Sequence, residues 1–155
     1  MTVLNLKDIL KGKVVILCIG NTERGDDGLG PHFAGMIKGK VPYEVIDAGI
    51  VPENWTGVVA RLEPDTVIIV DAVYFDGKPG DIKIFSGENV CSGRISTHDV
   101  SQKLLTEYLK EFTKADIYIL GIRPESNKYR EGLSGPVQDS LENLRRHLFE
   151  AIAIA

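Results

Sequence analysis

The sequence predicts an α/β domain with a mostly parallel sheet and helices on both faces. Two apolar, β-branched runs, "VVILCIG" (14–20) and "TVIIVDAV" (66–73), carry no polar alternation, as strands covered on both sides do. Stretches with helical periodicity alternate with the strands, the pattern of a parallel sheet with crossover helices. The 155 residues, 43% hydrophobic and 26% charged, suit one soluble domain spanning 1–155.

The elements follow in order. The first strand, 14–20, is preceded by a leader, "MTVLNLKDILKGK", and followed by the glycine-rich loop "GNTERGDDGLG" (20–30). A helix over 31–38 starts at Pro31, a residue suited to a first helical position. "YEVIDAG" (43–49) is the second strand, "PENWTGVVARL" (52–62) a short helix, and 66–73 the third strand. After the turn "DGKPG", "DIKIF" (81–85) alternates apolar and polar and reads as a half-exposed edge strand. A helix over 97–113 places Val100, Leu104, Leu105, Tyr108, Leu109 and Phe112 on one apolar face. "DIYILGI" (116–122) is the fifth strand. The last helix starts at Pro136 and buries Val137, Leu141, Leu144, Leu148 and Ile152.

Composition excludes several classes of function. A net charge of -4 argues against a general nucleic-acid or anionic-membrane surface. No run approaches about 18 apolar residues, so no membrane insertion is expected, and the N-terminus lacks the pattern of a signal peptide. Cys18 reads as a small buried hydrophobe and Cys91 as part of a polar loop, two free thiols suited to a reducing cytoplasm. There is no Gly-Lys-Ser/Thr, no G-x-G-x-x-G after the first strand and no G-x-S-x-G elbow.

The acids share one edge. Asp26 and Asp27 follow the first strand, Asp47 ends the second and Asp71 ends the third. Successive parallel strands thus deliver carboxylates beyond their carboxyl ends, where such sheets bind ligands. His98 opens the long helix at that edge. Carboxylates and an imidazole suit nickel, zinc, manganese or iron(II). Without a cation, clustered carboxylates would raise one another's pKa. On this reading Gly20, Gly25, Gly28 and Gly30 supply positive φ and bring Asp27 back over the strand end. An Asp after a strand also serves as a helix cap or turn former, and His98 also suits a helix start, so both readings stand for each residue taken singly.

"GNTERGDDGLGP", "VIDAG" with "VPEN", "IIVDAV", "STHDV" and "LGIRPES" occur in the order found in hydrogenase maturation endopeptidases, which the chain resembles over residues 14 to 150. That resemblance implies a three-layer α/β/α sandwich around a five-stranded mixed, mostly parallel sheet, in order 2-1-3-5-4 with "DIKIF" antiparallel. It implies an endopeptidase that removes the C-terminal extension of a nickel-iron hydrogenase large-subunit precursor once nickel is inserted. The family's metal ligands fall on Asp27, Asp71 and His98, with Asp26 and Asp47 at recurrent acidic positions outside that set. The nickel would arrive with the precursor, leaving the isolated site without a permanent ion or with another divalent metal. Two other readings are a metallohydrolase with a resident divalent metal and a non-catalytic maturation chaperone.

Overall fold

The computed structural model describes residues 5–91, 100–125 and 131–154. Five strands, β1 (Val14–Ile19), β2 (Glu44–Gly49), β3 (Thr66–Ala72), β4 (Ile82–Ser86) and β5 (Asp116–Ile122), form one sheet in the order β2-β1-β3-β5-β4. β1 runs parallel to β2 and β3, β3 parallel to β5, and β4 antiparallel to β5. This is the mixed, mostly parallel sheet and strand order that the resemblance implied. Every residue of β1 is buried, in line with its unbroken apolar run, whereas edge strand β4 is mostly half-buried, in line with its alternation.

Helices cover both faces. Alternate sheet residues such as Ile16, Ile68 and Leu120 pack with Leu6 and Ile9 of α1 (Leu6–Ile9), Phe33 and Ile37 of α2 (Leu29–Ile37) and Leu141 and Leu144 of α6 (Gly135–Ile154). The intervening residues, among them Leu17, Ile69 and Ile119, meet Val59 of α3 (Thr56–Leu62), Val90 of α4 (Gly87–Cys91), and Leu105 and Leu109 of α5 (Val100–Phe112). Among the described residues no helix is long and apolar enough to cross a membrane.

Several boundaries and faces differ from expectation. α2 begins two residues before Pro31, which still lies in the first turn, where a missing N–H breaks no helical bond. The expected helix over 52–62 divides into a 3-10 turn, Pro52–Trp55, and α3. The leader holds α1, whose four residues are too few to display a helical period, and Cys91 ends α4 instead of lying in a loop.

The largest difference is the face of α5. Leu105 and Leu109 are buried as expected, but Leu104, Tyr108 and Phe112 are 60%, 37% and 55% exposed. The buried stripe is completed by Gln102 and Thr106, a pair that apolar periodicity passes over. Thr106 tolerates burial because its hydroxyl donates to the Gln102 carbonyl at 2.8 Å. Gln102 makes its own bond, to a carboxylate described next. On α6 the expected stripe holds for Val137, Leu141, Leu144 and Leu148, with Ile152 packed partly buried at its end.

Candidate functional site

Strand order reverses at β1: the chain leaves it to build β2 on one side, then crosses to build β3 on the other. The carboxyl ends of β1 and β3 therefore flank the position where open α/β sheets form ligand crevices. A pocket opens there, lined by Gly20, Asn21, Asp27, Asp71 and Gln102, with Ile50 and Pro52 contributing to its apolar wall.

Asp27 arrives by a chain reversal. The Gly20 N–H donates to the Gly49 carbonyl at 2.9 Å, tying the ends of β1 and β2. The Asn21 N–H donates to the Asp27 backbone carbonyl at 3.1 Å and lies 3.3 Å from the Asp27 Oδ2 acceptor. The Asp27 N–H donates to the Arg24 carbonyl at 3.1 Å. The carbonyl of Asp27 thereby sits on top of Gly20, where a Cβ would stand 2.0 Å from it, and Gly20 has φ 152°. Of the four glycines expected to supply positive φ, Gly20 and Gly25 do so. Gly28 and Gly30 have a different use, close approach: a Cβ on Gly30 would lie 2.1 Å from the Ile19 carbonyl oxygen, so its absence lets α2 start against β1.

Asp71 stands at the end of β3 and is 4% exposed. Its Oδ1 accepts the Ala72 N–H at 2.8 Å, and its Oδ2 accepts a hydrogen bond from Gln102 Nε2. The Gln102 Oε1 is buried with no donor among the described residues. The bond from Nε2 to the buried Asp71 is the contact that accounts for a glutamine at this buried position. Sequence reasoning missed it, because one polar residue in a helix reads as solvated.

The remaining acids do not join the pocket. Asp26 is 2% exposed and turned away from it. Its carboxylate accepts the Ser134 N–H at 2.7 Å, the Ser134 hydroxyl at 2.7 Å and the Glu125 N–H at 2.8 Å. Asp26 thus fastens the glycine-rich loop to the segment between β5 and α6. That loop is more firmly tied than its glycine content suggests. Asp47 is exposed and accepts the Gly49 N–H at 3.1 Å, a local turn bond. Of the four aspartates at this edge, Asp27 and Asp71 line one pocket, whereas Asp26 and Asp47, already outside the ligand set that the resemblance implied, do not. His98 lies outside the described residues. Among the described residues, no three His, Cys, Asp or Glu side chains group as a metal site.

The surroundings are electrostatically coupled. Burial raises the Tyr74 hydroxyl above its ordinary value; the Arg123 guanidinium opposes this, and Asp27 and Asp26 add to it. Arg123 lies 5.1 Å over the Tyr74 ring and donates from Nη1 to the Phe75 carbonyl at 2.7 Å, bracing the chain beyond β3. Burial, reinforced by the charges of Asp47 and Asp71, pushes the Cys18 thiol far above its usual range. Cys18 is fully buried in mid-strand and supplies no nucleophile.

A family model described as hydrogenase maturation protease matches residues 32–151. The chain belongs to the hydrogenase maturation protease family. The hydrogenase 3 maturation protease of Escherichia coli K12 is 32% identical over 137 residues, 86% of this chain and 87% of that one. A putative hydrogenase maturation protease of Methanocaldococcus jannaschii is 32% identical over 132 residues, 77% of this chain and 78% of that relative. The crystal structure of the NiFe hydrogenase maturation protease HycI from Thermococcus kodakarensis is 33% identical, with a TM-score of 0.83, covering 96% of this chain and 98% of that one. The Escherichia coli maturating endopeptidase HybD, 22% identical with a TM-score of 0.75 over 92% of this chain and 93% of that one, shares the fold.

Proposed function

We propose that the chain is an endopeptidase that cleaves the C-terminal extension of a nickel-iron hydrogenase large-subunit precursor after nickel insertion. On this reading Asp27, Asp71 and His98 hold the precursor's nickel, which arrives as part of the substrate. Family membership supports the protease activity. The observation that carries the site reading is that Asp27 and Asp71, 44 positions apart in sequence, line one pocket at the switch point of the sheet.

The donor chemistry fits. Carboxylate oxygens with an imidazole suit a borderline divalent ion such as nickel, and three protein ligands leave positions for groups from the substrate. Asp71 would serve as the fixed ligand, because both its oxygens are already held by donors. Asp27, half-buried on the loop, would be the ligand nearer solvent. A divalent ion so placed polarises a carbonyl or lowers the pKa of a bound water. The pocket's free volume, about 110 Å³, is below the roughly 300–1,000 Å³ of sites that enclose a small molecule. That favours an ion with a peptide lying across the rim over a resident-metal hydrolase acting on a free small substrate.

Incubation with the purified nickel-loaded precursor tests the reading. Mass spectrometry should find the precursor shortened at its C-terminus, and the nickel-free precursor intact. A complex that forms without any shortening would make the chain a chaperone.

A further inference from the structure

We propose that Gln102 is a positioning residue, which fixes the plane of the Asp71 carboxylate for the processing reaction; this rests on the reading of the pocket given above. Gln102 is 3% exposed and lines the pocket from α5, while Asp71 is 4% exposed at the end of β3. Its Nε2 donates to Asp71 Oδ2. The Ala72 N–H holds the other oxygen. With a donor from its own strand on one oxygen and a donor from a helix on the other, the carboxylate is held against rotation about its χ2.

Only one amide orientation works. If the carbonyl of Gln102 faced Asp71, two acceptors would meet with no proton between them. The NH2 group therefore faces the carboxylate, and Oε1 is left buried with no donor among the described residues. A methionine or leucine would fill the same volume but leave the buried Asp71 Oδ2 without its helix donor, so the contact with Asp71 is what a glutamine supplies here. α5 gives the side chain a firm base. Leu105 and Leu109 are buried on the same stripe, and the Thr106 hydroxyl donates to the Gln102 carbonyl oxygen at 2.8 Å. The requirement for a donor aimed at Asp71 explains why this helix turns a polar stripe inward and leaves Leu104 and Phe112 outside.

The test is Gln102→Met in the full chain, with Gln102→Leu as a second variant should the first fail to fold. With nickel-loaded precursor, kcat should fall about 10-fold or more, the range seen when a ligand's outer partner is removed, while KM stays within about twofold. The thermal midpoint should fall by no more than a few degrees, because the buried Asp71 Oδ2 loses a donor while the unmet Gln102 acceptor is removed with it. A crystal structure of the variant should find the Asp71 carboxylate rotated from its parental plane. An unchanged kcat, or an Asp71 carboxylate that keeps its plane, overturns the proposal. A lowered thermal midpoint with parental turnover per folded molecule also overturns it and makes Gln102 a packing residue. If the parental protein leaves the precursor uncut, the functional reading falls, and the crystal structure still decides whether Gln102 sets Asp71.

Discussion

At Asp26 three donors converge on one buried carboxylate, and next to it Asp27 is left half-buried on the pocket. Adjacent residues in a tight turn point apart, so one aspartate serves the fold and its neighbour lines the pocket. Asp26→Ala removes an acceptor from the Ser134 and Glu125 N–H groups and should cost about 2–4 kcal/mol in urea unfolding. A loss below 1 kcal/mol would mean that the loop is held in some other way. Cys18 yields a prediction of a different kind. Its thiol stays protonated in the folded chain well above the value near 8.5 of an unfolded cysteine. Its contribution to stability is therefore fully present below about pH 8.5 and lost as pH rises above it, at up to about 1.4 kcal/mol per pH unit for one proton. Urea midpoints measured from pH 8 to 10 should fall more steeply for the parental chain than for Cys18→Ala. Parallel slopes would contradict this.

α5 separates what periodicity reveals from what it does not. Its existence and rough length were legible, because leucines recur at helical spacing. Its orientation was not, since two adjacent stripes compete and the apolar count favours the wrong one. The buried stripe contains Gln102 and Thr106, whose Nε2 and hydroxyl are met by Asp71 and by a backbone carbonyl, and such partners cannot be read from one segment alone. The consequence is measurable. Leu109→Ala, at a fully buried position, should cost about 2–5 kcal/mol, whereas Phe112→Ser, at a 55% exposed one, should stay within about 0.5 kcal/mol. Equal costs at both positions would restore the stripe expected from sequence. The strands were easier. β1 and β3 are apolar along almost their whole length because they lie inside the sheet with helices on both sides, so nothing in the fold competes with that reading.

Across the whole molecule, strand order turns distant aspartates into neighbours. β1 between β2 and β3 opens the crevice, Gly20 and Gly30 let the loop and α2 close over the strand end, and Asp71 waits at the end of β3. Asp27 and Asp71 were legible because strand ends are legible. Asp26 and Asp47, outside the ligand set that the resemblance implied, share the edge but turn elsewhere, because position at an edge does not determine which way a side chain turns. Gln102 was missed because its meaning lies in a contact 31 positions away. The central claim is that Asp27 acts on the precursor's nickel instead of only shaping a turn. Asn in its place keeps the shape and an acceptor for the Asn21 N–H while removing the charge, so the fold should be unaffected. The most direct measurement is the rate at which Asp27→Asn shortens the nickel-loaded precursor, followed by mass spectrometry beside the parental protein at equal folded concentration. The account predicts a loss greater than the roughly 100-fold that removal of an outer partner can cause, with an unchanged unfolding midpoint. Trimming at the parental rate would contradict it and leave Asp27 a residue of the loop alone.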